Sequence, residues 1–76
     1  MAKLTLIGTT ICPNCKIAAK KLTEAGIGYE IIYADTPEGR KVAIEEQVTK
    51  APTLIVEKDG VKMKLTNLSE IIRFIG

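Results

Sequence analysis

Apolar positions recur along the chain in two rhythms, one of period two and one of three to four, and their alternation lays out seven elements. Residues 3 to 8, Lys3-Leu4-Thr5-Leu6-Ile7-Gly8, run apolar with β-formers and stop at Gly8-Thr9-Thr10, as a strand followed by a short loop does. From Pro13 the rhythm turns helical: Cys15, Ala18, Ala19 and Leu22 recur at three- and four-residue spacing, Lys16, Lys20, Lys21 and Glu24 fill other positions, and Gly26 ends the run. Pro13 suits the first helical position, where its missing N–H removes no bond. Gly28 opens a second strand over Tyr29–Tyr33, and a strand, helix, strand unit of this length implies a parallel pair with a right-handed crossover. In Asp35-Thr36-Pro37-Glu38, Thr36 is the expected N-cap and Pro37 the first residue of a helix running to about Val48, with Gly39 weakening its first turn. Strands over Thr53–Glu57 and Val61–Leu65 flank Lys58-Asp59-Gly60, a hairpin signal. Asn67 caps a last helix with Glu70 three residues on, and Leu68, Ile71, Ile72 and Ile75 share one face of it. The order βαβαββα predicts an α/β fold, a four-stranded mixed sheet flanked by three helices.

Length and charge narrow the function classes. The chain has 76 residues, enough for one domain that buries only roughly 60% of its unfolded surface, which leaves room for one site. Its 46% hydrophobic and 26% charged residues are those of a folded domain, and no repeat or linker divides residues 1–76. The net charge is +2 without a basic run, and Tyr29, Tyr33 and Phe74 are the only aromatic residues, which argues against nucleic acid as a partner. The first eight residues are too mixed for a signal peptide or a membrane span, so the expectation is a cytoplasmic monomer without a membrane partner.

The chemistry sits in Cys12-Pro13-Asn14-Cys15, which holds both cysteines of the chain. Two residues apart, they cannot staple distant segments, so their use is local chemistry or metal. A nucleophilic cysteine must be a thiolate, and the first turn of a helix favours the anion through unpaired N–H groups and a partial positive charge. Cys12 stands there as the attacking thiol. Cys15 lies one turn along on roughly the same face, within reach of a mixed disulfide on Cys12, as the resolving thiol. Pro13 between them stiffens the turn and removes a donor, which tunes the thiolate. Two alternatives stand beside this reading. Neighbouring cysteines also occur as small buried hydrophobes, and Cys-x-x-Cys is half of a zinc site, although the chain offers no further Cys and no His.

With the motif placed, the whole chain resembles the glutaredoxin and thioredoxin-like proteins. Cys12-Pro13-Asn14-Cys15 after the first strand is similar to the Cys-Pro-Tyr-Cys motif of glutaredoxins, and Ala51-Pro52-Thr53 before the third strand is similar to the family's cis-proline segment. The resemblance implies a thioredoxin-like, glutaredoxin-type fold in which the backbone of Ala51 and Pro52 forms an edge for an extended substrate beside the cysteines. Ile11 and Pro13 would line the same surface. Asn14 stands where glutaredoxins usually carry Tyr, and Ile11 where thioredoxins have Trp. Glutathione-binding glutaredoxins typically have a lysine ahead of the motif, a Gly-Gly pair in the fourth strand and an aspartate near the last helix start. Here those places hold Thr9, Met63-Lys64 and Thr66-Asn67. Thr66 and Asn67 offer a hydroxyl and an amide to a peptide ligand, and capping the final helix is their other role.

The resulting expectation is a dithiol-disulfide oxidoreductase with no bound cofactor. By analogy it donates electrons to ribonucleotide reductase-type enzymes or other protein disulfides, and glutathione or NADPH with thioredoxin reductase serves as external reductant. A different class remains open, a module that binds a metal or iron-sulfur cluster through the cysteine pair between two chains.

Overall fold

The structure is a computed structural model and describes residues 2–76. Its strands are β1 (Lys3–Gly8), β2 (Glu30–Tyr33), β3 (Thr53–Lys58) and β4 (Val61–Leu65), and its helices α1 (Pro13–Glu24), α2 (Pro37–Glu45) and α3 (Leu68–Ile75). They follow one another as βαβαββα, and the sheet order is β2-β1-β3-β4. β1 pairs parallel with β2, which requires the α1 crossover, while β1–β3 and β3–β4 are antiparallel. Among the described residues no helix is long and apolar enough to cross a membrane.

The pleat of the sheet sorts side chains onto two faces. Leu4 and Leu6 of β1 and Leu54 and Val56 of β3 meet Ala18 and Leu22 of α1 and Ile71 of α3. Ile7 and Ile55, one position out of phase, meet Ala43 of α2 on the opposite face. Central strands covered on both faces read as continuous apolar runs, as Leu6-Ile7 of β1 and Leu54-Ile55-Val56 of β3 do.

Helix ends explain several boundaries. Gly26 has φ 71°, and the Gly26 and Ile27 amides donate to the Thr23 and Leu22 carbonyls, a Schellman ending that turns Ile27 back onto the Leu22 core. α2 closes in the same manner at Glu45 rather than at Val48. Gln47 adopts φ 57°, its N–H donates to Ile44 and that of Val48 to Ala43, and Val48 packs beside Ala43. Burying Val48 outweighs the cost of a non-glycine residue in the left-handed region, and no glycine marks the stop. The β3–β4 hairpin turns through Asp59 at φ 52° and Gly60 at φ 78°, the pair of positive φ values that a two-residue type I′ loop needs.

Three further expectations change. Tyr29 lies ahead of β2, where its hydroxyl donates to the Ala19 carbonyl at 3.2 Å and ties the segment to α1. Ile72 stays exposed: α3 presents Leu68, Ile71 and Ile75 to the core. Gly39 braces the first turn of α2 instead of weakening it, because a Cβ there would fall on the Tyr33 carbonyl oxygen. That close approach lets the Thr36 hydroxyl donate to Tyr33 O at 2.7 Å while accepting the Gly39 N–H at 3.1 Å.

Candidate active site

The carboxyl ends of β1 and β2 and the amino end of β3 meet at one edge of the sheet, and the cysteine pair stands there. Cys12 is the N-cap of α1, with φ −88° and ψ 113°, and Pro13 is the first helical residue. The cap group is a sulfur: Cys12 Sγ accepts the Cys15 N–H at 3.2 Å, filling the place that a Ser or Asp oxygen takes in other helices. A thiolate in that position gains a hydrogen bond and the favourable end of the helix dipole.

The two thiols, both free, occupy unlike surroundings. Cys12 is half-buried, whereas Cys15 is 2% exposed beneath the first turn. Removal from water pushes the Cys15 thiol up to about 11, assisted by the hydrogen bond and negative charge of Cys12 and opposed by the Thr9 main chain. Room for Cys15 comes from Gly8, the last residue of β1, since a Cβ there would lie 2.7 Å from Cys15 Sγ. Cys15, Thr9 and Lys16 also wall a groove of about 370 Å³ whose far side is Ile31 and Tyr33 of β2.

The other expected site residues fall around this edge. Ile11, next to Cys12, is 85% exposed, and Pro13 is exposed as well. Ala51–Pro52 is a cis peptide, with Ala51 exposed and Pro52 buried. The β1–β3 register pairs Ile7 with Thr53, so its continuation sets Pro52 opposite Gly8, close to the cysteines. Thr66 and Asn67 reach the same edge, because β4 pairs Leu65 with Leu54. The Asn67 side chain is already engaged: Oδ1 accepts the Glu70 N–H at 2.9 Å and Nδ2 donates to the Glu70 carboxylate at 2.8 Å, the cap of α3. Thr66 lines a cleft of about 140 Å³ with Lys50 and Lys64.

Two residues missed by the sequence reading, Thr10 and Asp35, are joined just ahead of Cys12. Asp35, taken only as part of a helix-start signal, accepts both the Thr10 N–H at 3.0 Å and the Thr10 hydroxyl at 2.5 Å. Those two bonds hold its carboxyl below the usual carboxylate range. Twenty-five positions separate the partners, so no local spacing signals the contact. Among the described residues no group of three or more His, Cys, Asp and Glu is gathered as a metal site requires.

The chain matches no known protein-family profile and no curated protein. Solved structures do match. Thioredoxin O2 from Arabidopsis thaliana, in its oxidised state, superposes with a TM-score of 0.84 at 16% identity over 97% of this chain and 69% of its own. Glutathione transferase Omega 2S from Trametes versicolor gives 0.75 at 22% identity, over 99% of this chain and 35% of the transferase. Maleylacetoacetate isomerase from Anaeromyxobacter dehalogenans, with glutathione bound in its active site, gives 0.77 at 20% identity, over 97% of this chain and 36% of the isomerase. The chain thus spans about a third of the length of the transferase and of the isomerase. The fold is thioredoxin-like, as the resemblance implied.

Proposed function

We propose that the chain is a thiol-disulfide oxidoreductase in which Cys12 attacks and Cys15 resolves. The observation that carries the reading is the asymmetry of the pair. Cys12 is partly open at the helix N-cap with its sulfur on the Cys15 N–H, while Cys15 is buried and holds its proton to high pH. A thioredoxin-like fold is consistent with this chemistry.

The Cys12 thiolate attacks one sulfur of a substrate disulfide, forming a mixed disulfide and releasing the other sulfur as thiolate. Neutralising Cys12 in that bond removes two of the influences that raise the Cys15 thiol, its hydrogen bond and its charge, so Cys15 gives up its proton more readily when its thiolate is needed. Cys15 then attacks the Cys12 sulfur, closes the intramolecular disulfide and releases the substrate as a second thiolate. The substrate gains two electrons, and the pair is restored by two electrons and two protons from an external reductant.

Exposed Ile11 and Pro13 and the Ala51–Pro52 segment supply the surface on which an extended protein substrate would lie, with Thr66 at its margin. Protein disulfides of the ribonucleotide reductase type are the substrate class by analogy with small glutaredoxin-like donors. Glutathione and NADPH with thioredoxin reductase are the two candidate reductants. Thr9 in place of a lysine and the engaged Asn67 favour the flavoprotein.

In the deciding experiment the oxidised protein is offered glutathione, or thioredoxin reductase with NADPH, and thiols are counted over time. Recovery of two thiols with the flavoprotein alone is expected. Cys12→Ser should abolish exchange and Cys15→Ser should accumulate mixed disulfides. Equal behaviour of the two variants, or no recovery with either reductant, would overturn the assignment.

A further inference from the structure

The loop from Thr9 to Ile11 carries Cys12 to the head of α1, yet little packing holds it. Ile11 projects into solvent at 85% exposure, Thr10 is exposed, and the Cys12 N–H reaches the Thr9 carbonyl only at 3.4 Å. The strong polar link out of the loop is the pair of Thr10 bonds to one carboxylate oxygen of Asp35, from the main-chain N–H at 3.0 Å and the hydroxyl at 2.5 Å. Charge-assisted bonds of this kind are shorter and roughly twice as strong as neutral ones.

Asp35 itself stands on a braced turn. On one side the Ala34 N–H donates to the Gly8 carbonyl at 2.7 Å, extending the β1–β2 ladder by a residue. On the other the Thr36 N–H and hydroxyl both donate to Tyr33 O, and Gly39 closes against that carbonyl. A firm turn therefore grips a loosely packed loop two residues before the nucleophile.

We propose that Asp35 is a positioning residue for Cys12: through Thr10 it holds the Thr9–Ile11 loop where the Cys12 sulfur meets the Cys15 N–H. The inference rests on the dithiol reading and adds the group that keeps the attacking thiol in register. Arg40 and Lys41 line the cleft beside Asp35, and Lys16, Cys15 and Tyr33 face the loop from the groove on its other side. Asp35 thus acts by geometry, through the two Thr10 bonds.

Variants that keep or remove the Asp35 carboxylate make the test selective. Cys12 alkylation by iodoacetamide is followed against pH in the reduced wild type, Thr10→Val, Asp35→Ala and Asp35→Asn, with thermal unfolding of each alongside. Thr10→Val keeps the charge of Asp35 and removes one anchoring bond. Its alkylation rate at neutral pH should fall by about fivefold, the share of one net hydrogen bond. Asp35→Asn, which retains an acceptor oxygen, should react faster than Asp35→Ala. A Thr10→Val profile identical to wild type overturns the proposal, as does equal reactivity of the two Asp35 variants, or a loss of thermal stability without a change in alkylation. The readout needs no disulfide substrate, so absence of exchange in the wild type would sink the dithiol reading alone.

Discussion

Cys15 ties the chemistry of the site to the stability of the chain. Its thiol is pushed up to about 11 from an ordinary 9.0, chiefly because burial penalises the anion. The folded chain therefore keeps this proton to higher pH than the unfolded chain does. The corresponding stabilisation is complete below pH 9 and is lost as pH rises toward 11. Urea midpoints of the reduced protein should fall more steeply between these values than those of Cys15→Ala, and parallel slopes would refute the linkage. Gly8 belongs to the same small space. Its role was not visible in the string, where it marked only the end of a strand; the 2.7 Å approach to Cys15 Sγ exists only once α1 has packed on the sheet.

The turn between β2 and α2 shows how an element boundary is set by more than propensity. Thr36-Pro37 announces the helix locally, through an N-cap oxygen and a preset φ. Gly39 at the third position runs against helix propensity, and an isolated helix would gain from alanine there. In the fold a methyl group at Gly39 would meet the Tyr33 carbonyl, so the turn must open. Gly39→Ala is expected to destabilise the protein by about 2 kcal/mol, the range of small-to-large changes at packed positions, despite its better intrinsic propensity. Equilibrium unfolding in urea checks the sign, and a stabilised variant would show that the turn relaxes without loss. The stop of α2 carries the same lesson. Nothing in Glu46-Gln47-Val48 resembles a helix terminator; Gln47 turns left-handed because Val48 is drawn in beside Ala43.

The core is divided between two sheet faces, and a chain of 76 residues has little stability in reserve. Leu22 of α1 is fully buried among the residues that join α1, α3 and the central strands. Leu22→Ala should cost about 2–5 kcal/mol, a large share of the roughly 5–15 kcal/mol typical of a domain. The urea midpoint should drop with an unchanged slope. Because the same helix presents both cysteines, the variant should also react less selectively at Cys12 wherever the native state is no longer dominant. A midpoint within experimental error of wild type would mean that the two layers depend on one another far less than their packing implies.

Element order and the place of the cysteine pair were determined by the sequence alone. Each depends on contacts within a few positions: the period of apolar residues, Pro13 at a helix start, Asp-Gly in a tight turn, Thr36 and Asn67 as caps. The parallel β1–β2 pair followed from connection length and handedness, which are also local. Tertiary structure alone decided the burial of Cys15 against the half-open Cys12, the glycine approaches at Gly8 and Gly39, the end of α2, and the grip of Asp35 on Thr10. These join segments up to twenty-five positions apart, and their free energy exists only after the sheet has brought the segments together.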